Sequence, residues 1–319
     1  MNSQNKIFLG FLMYICTLVI SHPNQARKCK AKPRIIAKTN NNYNSTKSGM
    51  LSYVRKEDFP LYPVTVYISN KVEQKENILK NFKLFYPKGQ KSLSSISRAV
   101  RSILYKTKET FKGQQKRLGI HIVPNSYENL ADADLGLEDM RVKEQVFNDN
   151  PGEVPFQGVF VHEFTHLYQI KDGCTESIAE YVTNLFRLEN ITCQNDKKNF
   201  RDSKWDDLTY CDGAVFFAWV IEKKGIPDFV IDLNQRIGGD ENWKESKDGF
   251  YNKVTGYWKE YQDDEGSSEI VRRHFEKAST EAWNIFANDF GLSFDEKTRK
   301  LELLDKENVV DDWDVQYED

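Results

Sequence analysis

Residues 158–169 read GVFVHEFTHLYQ, and the two histidines in that run, His162 and His166, constrain the fold more than any other feature of the chain. Side chains four residues apart lie one above the other on a helix, so a helical segment lets both imidazoles reach a single metal ion. Phe160, Phe164 and Leu167 form an apolar stripe that gives this helix a face to bury and leaves the histidines on another. Glu163 then stands beside the ion, where a carboxylate can take a proton from water and deliver it to a leaving amine. Two ordinary core histidines are the competing reading. With five histidines in 319 residues, chance is a poor source of His-Glu-x-x-His, and the segment is read as a zinc site.

Such a site needs a third protein ligand and an open fourth position. The first helix is expected to end near Asp172-Gly173, and Thr175 can cap the next one, on which Glu176 and Glu180 stand four apart on one face. Glu176 is the expected third ligand. Glu180 is expected to orient a ligand histidine through its other ring nitrogen. A solvated helical face is the usual fate of two glutamates at this spacing, but here the pair follows a metal-binding histidine by ten residues, and Ile178, Val182 and Leu185 supply a side to bury.

Around this core the chain changes character several times. Lys6 precedes an apolar run over Ile7–Ile20 that closes at Ser21, a pattern that predicts a secretory signal over residues 1–21 rather than an anchor, which needs about 20 apolar residues. Residues 22–59 are expected to form a basic flexible arm or propeptide: Arg27–Lys38 holds six Lys/Arg and no acid. The alternation of Val64, Val66 and Ile68 predicts a strand, as does that of Leu118, Ile120 and Ile122, and Met140–Phe147 reads as a third strand at a sheet edge. Ser92 is the expected cap of a helix striped by Leu93, Ile96, Val100, Ile103 and Leu104. Helical patterns dominate beyond residue 157, over Gly158–Ile170, Glu176–Leu188, Ala214–Glu222 with a stop at Gly225, Asp228–Ile237 and Thr255–Tyr261. Strands followed by helices predict an α+β fold. Residues 263–319 read as a helical extension with a frayed acidic tail, since Glu302–Asp319 carries eight acids against Lys306 alone.

The composition, 39 % hydrophobic and 13 % aromatic, is that of a folded chain. A net charge of −3 excludes a generally basic nucleic-acid binder, and no stable membrane span is expected once the signal is removed. Asn44 and Asn190 lie in glycosylation triplets. If Cys16 leaves with the signal, Cys29, Cys174, Cys193 and Cys211 remain, and two disulfides are expected from three possible pairings; Cys29 as a metal-capping latency switch is the minor alternative. A Cys174–Cys193 bridge is not expected, because the intervening helix would hold its ends about 18 Å apart.

The segments GVFVHEFTHLYQ and ESIAEYV, the latter over residues 176–182, resemble the basic secretory protein family of secreted zinc peptidases. Trp205-Asp206, Tyr210, the stretch from Cys211 to Phe217 and FVIDLNQR over 229–236 are similar to further blocks of that family, so the likeness covers roughly residues 60–262. Ser177 and Glu180 depart from it, standing where the family has glycine and aspartate. The resemblance implies a zincin-like fold, a mixed sheet packed on the His-Glu-x-x-His helix with a mainly helical C-terminal half. It again selects Glu176 and Glu180, and it puts Tyr210 where a hydroxyl can stabilise a transition state.

Together these features predict a secreted, zinc-dependent endopeptidase that acts on a peptide or protein substrate laid along the edge strand near Met140–Phe147. The alternative is an inactive zincin-like extracellular protein that binds a protein or glycan ligand on a surface made of Trp205, Trp243 and Trp258.

Overall fold

The computed structural model describes residues 49–111, 117–134, 139–148, 158–170, 174–186, 203–237, 249–298, 300–303, 313 and 315–319. The signal, Asn44, Asn190, Trp243, Cys29 and Cys193 lie outside them. Among the described residues no helix is long and apolar enough to cross a membrane.

The fold is α+β. Strand β1 (Val64–Ser69) lies inside a mixed sheet, parallel to its central strand β2 (Leu118–Val123), which in turn runs parallel to β4 (Asp139–Lys143). Strand β3 (Ala131–Asp134) pairs antiparallel with β4, and β7 (Val315–Glu318) pairs parallel with β1, giving the order β3-β4-β2-β1-β7. Val64, Val66 and Ile68 are buried, and so is Thr65 on the opposite face of β1. Burial on both faces is the mark of an internal parallel strand.

Helices α1 (Lys75–Phe85) and α2 (Gln90–Leu104) follow β1. The expected stripe of α2 is buried in full, from Leu93 to Leu104, each side chain contributing about 1.5–3 kcal/mol by leaving water. Ser92 is not its cap. Gly89 occupies that position at φ 59°, a left-handed backbone that glycine adopts without penalty. Ser92 Oγ lies three residues further on, accepting from Lys88 N and donating to the carbonyl of Phe290.

The expected strand over Met140–Phe147 is half strand and half helix. Strand β4 stops at Lys143, where the buried Glu144 turns its carboxylate to accept from the backbone N–H of Glu73 and Asn125, and the short helix α3 (Gln145–Asn148) follows. Strand β4 is also internal. The edge belongs to β3, whose Ala-Asp-Ala-Asp sequence carries no apolar alternation to announce it.

The helical half comprises α4 (Val159–Tyr168), α5 (Thr175–Asn184), α6 (Tyr210–Lys224), α7 (Phe229–Ile237), α8 (Phe250–Asp263) and α9 (Ser267–Phe290). Helix α6 ends as expected at Gly225, at φ 63°. Helix α4 packs on α2, β3 and α5, and α5 packs on α6, which lies against α9.

Two segments are more integrated than their composition suggests. Within the expected arm, Met50, Leu51, Val54 and Phe59 join the core, and Leu51 N donates to Glu281 Oε2 on α9 at 2.9 Å. Beyond residue 262, α9 buries Phe275, Trp283, Phe286 and Phe290, and a two-stranded hairpin follows, β5 (Leu292–Asp295) with β6 (Lys300–Leu303). The acidic tail does not fray at its end: β7 completes the sheet.

Candidate metal centre

Helices α4 and α5 form the centre between them. Gly158 opens α4, Phe160, Val161, Phe164 and Leu167 turn into the core, and His162 and His166 face α5, their rings 4.7 Å apart and nearly perpendicular. Helix α5 starts after Cys174, whose backbone is left-handed at φ 55°, and brings Glu176 round on its first turn. Glu176 Oε2 lies 3.2 Å from His162 Nε2 and 3.4 Å from His166 Nε2.

One ligand atom from each of His162, His166 and Glu176 falls within 4.8 Å of the others. Ligands about 2.0–2.1 Å from a tetrahedral ion stand about 3.3 Å apart, so the donors are spaced as ligands of one ion. Two imidazole nitrogens and a carboxylate oxygen are a donor set that suits zinc. On spacing and on chemistry these residues fit the metal that the sequence implies.

The remaining ring nitrogens face inward partners. His166 Nδ1 lies 2.9 Å from Gln169 Oε1, and Gln169 Nε2 donates to the carbonyl of Thr175 at 2.8 Å. His162 Nδ1 is 3.8 Å from Glu180 Oε2, while Glu180 Oε1 accepts from Asn184 Nδ2 at 3.0 Å. Glu180 therefore lies on the expected side of a ligand histidine, at a separation longer than a hydrogen bond.

Glu163 is buried, and burial pushes its carboxyl above the usual range, with His166 and His162 opposing that shift and Glu176 and Asp132 reinforcing it. For His166 burial works against the charged ring, but the hydrogen bond to Glu176 and the charges of Glu163 and Glu176 prevail and raise it to about 9. Glu176 is also desolvated, yet its bonds to His162 and His166 hold it well below the ordinary carboxylate range.

Tyr210 begins α6, and its ring stacks on that of His162 at 6.1 Å and 15°. Its φ of 46° is a left-handed value that costs a non-glycine residue on the order of 1 kcal/mol or more. Helix α6 can approach α5 closely because position 213 is glycine: a Cβ there would sit 2.0 Å from Ser177 Oγ.

Sequence reasoning missed Gln169 and Asp132. The signal for Gln169 was its place three residues after His166, on the same side of the helix. Asp132 sits on an unrecognised strand, where it accepts from Tyr127 Oη, Asn129 Nδ2 and Arg141 Nε, and no local pattern marks it.

One expectation fails. Trp205 and Trp258 are buried, with Nε1–H donating to Thr255 Oγ1 and to the carbonyl of Ser203, so they form no ligand surface. Cys174 is buried, its Sγ 3.9 Å from the carbonyl oxygen of Asp206. Cys211 is disulfide-bonded.

Neither a curated protein nor a solved structure matches the chain. Residues 63–261, from the residue before β1 to the last turns of α8, match the family model BSP, described as peptidase of plants and bacteria. That span exceeds half of the 319 residues and contains every donor of the centre, and the chain therefore belongs to the BSP family of peptidases.

Proposed function

We propose that this family member is a secreted, zinc-dependent endopeptidase with a zincin-like fold, in which His162, His166 and Glu176 hold the ion. The observation that carries the reading is the convergence of three donor atoms on two helices, at ligand spacing, with the buried Glu163 beside them. Bound zinc would polarise the scissile carbonyl and acidify water. Glu163 takes the proton of the attacking water and passes it to the amine as the peptide bond breaks; its raised carboxyl moves it toward the range useful to a general base. The Tyr210 hydroxyl donates to the oxygen on which negative charge develops.

The substrate adds to β3 rather than β4. Strand β3 lies against α4, next to the donors, and among the described residues no strand pairs with its outer side. An extended peptide hydrogen-bonded there is recognised through its backbone and runs past the site in both directions, as endopeptidase action requires. Secretion rests on the charged and apolar pattern of residues 1–21, with the glycosylation triplets as minor support.

The test is a peptide-library digest by the purified full chain, with and without a chelator. Internal cleavages that disappear on chelation and return with added zinc are expected. Cleavage that survives complete metal removal refutes the reading.

A further inference from the structure

We propose that Gln169 is a positioning residue for the metal centre: its carboxamide oxygen fixes the tautomer and ring plane of His166, and its carboxamide nitrogen ties the helix of the histidines to the helix of Glu176. This inference rests on the metal reading above and deepens it.

The geometry leaves little choice about which atom does what. Helix α4 ends at Tyr168, and Gln169 is the first residue with extended backbone, at φ −69° and ψ 151°. Its Cα still continues the helical path, so its side chain lies on the His166 side, three residues on. Gln169 is buried, with 7 % of its surface exposed, and a buried amide must satisfy both of its ends. The Thr175 carbonyl, 2.8 Å away, can only accept, so the carboxamide nitrogen faces it. The oxygen is thereby turned to His166 Nδ1 at 2.9 Å, and since an amide oxygen can only accept, Nδ1 carries the proton. In the neutral ring Nε2 then holds the lone pair, aimed at the cluster, which is the tautomer a metal ligand needs.

Among the described residues the other histidine has no equal support. Glu180 stands 3.8 Å from His162 Nδ1 and shares one carboxylate oxygen with Asn184. Of the two rings, His166 is the one locked by a short, directional bond. The same amide reaches the first residue of α5, one position before Glu176, so the placement of one donor is transmitted to another. Ile170 N, which donates to Asn234 Oδ1 at 3.2 Å, anchors the chain just beyond.

A plain structural tie between the helices would need only the nitrogen; orientation of His166 needs the oxygen. Two substitutions separate these roles. Gln169→Leu removes both contacts, whereas Gln169→Glu keeps an acceptor for His166 Nδ1–H and loses the donor to Thr175. The experiment titrates Zn2+ into the metal-stripped full chain against a chromophoric chelator, and records the visible spectrum of the Co2+-substituted protein. Gln169→Leu is expected to bind zinc about 10–100-fold more weakly, with an altered cobalt spectrum, while Gln169→Glu binds near the parent affinity with the parent spectrum. Equal loss in both variants overturns the orienting role, and undiminished binding by a folded Gln169→Leu overturns it as well. Should Gln169→Leu fail to fold, Gln169→Glu decides alone, because a 10–100-fold loss there contradicts the proposal. A parent chain that takes up no zinc refutes the metal centre itself, and is told apart from a failure at Gln169 by the parent titration.

Discussion

The two edges of the main sheet are both short and rich in acid, yet they do opposite things. Strand β7 covers β1 with residues from the C-terminus: Asn70 N donates to the carbonyl of Glu318 at 2.7 Å, His121 Nδ1 lies 2.8 Å from Glu318 Oε1, and Trp313 sits 5.1 Å from the Phe82 ring and 6.3 Å from that of Tyr86. Strand β3 instead lies against α4, the helix of His162 and His166, with its Asp132 held by Tyr127, Asn129 and Arg141. The difference follows from the strands behind them. Strand β1 is buried on both faces, through Val64, Val66 and Ile68 on one and Thr65 and Ser69 on the other, and would be a hazard if left uncovered, whereas β3, with the sequence Ala-Asp-Ala-Asp, tolerates water. The chain covers β1 with its own tail, and among the described residues it leaves the outer side of β3 without a paired strand.

Changes on the β3 side should therefore alter hydrolysis and leave stability alone, and changes on the β7 side should do the reverse. The largest effect is expected from Glu163→Gln, which preserves shape but cannot accept a proton. Peptide hydrolysis should fall by about 10²–10⁴-fold, while zinc content and thermal midpoint stay at the parent values. Residual activity near the parent level would mean that another group is the base. On the other side, Trp313→Ala should cost about 3 kcal/mol in denaturant unfolding, with the turnover of the folded enzyme unchanged. A loss of turnover without loss of stability would break the division between the edges.

Smaller, and confined to the site, is a dependence of stability on pH. His166 is held at about 9 in the metal-free fold, above the roughly 6.5 of an unfolded histidine. A raised folded value adds stability that is complete below about pH 6.5 and disappears as the pH climbs through 9. The thermal midpoint of the zinc-stripped chain should fall across that window, and should do so less in His166→Ala. Equal slopes in the two proteins would remove the histidine from the explanation.

What the sequence made legible, and what it hid, divides along the same physical line. Strands β1 and β2, the stripe of α2 and the donors His162, His166 and Glu176 all declare themselves through local periodicity or through spacing on a helix. Strand β3 has four residues and no alternation, and β7 lies in an acidic run whose charge suggests solvent. Both are strands because of the partner beside them, which no local pattern reports. The break at Glu144 is hidden for the same reason, since its carboxylate answers backbone donors at Glu73 and Asn125. Tryptophan invites the idea of a binding surface; Trp205 and Trp258 are core residues because the packing of the helical half gives their rings a dry place and their N–H groups an acceptor. Gln169 was within reach, since its spacing from His166 is a helical one, but its role depends on the carbonyl of Thr175, supplied by the next helix.

The metal content of Glu176→Ala and Glu180→Ala, measured beside the parent after dialysis, tests the centre most directly. Removing a ligand changes the charge and coordination of the ion itself, whereas removing a distant orienting carboxylate only lets a ring wander. The parent should hold about one zinc per chain, Glu180→Ala should bind it about 10–100-fold more weakly, and Glu176→Ala should lose most of it. If Glu176→Ala keeps its zinc as well as the parent does, the third ligand is elsewhere and the centre built here from α4 and α5 is wrong.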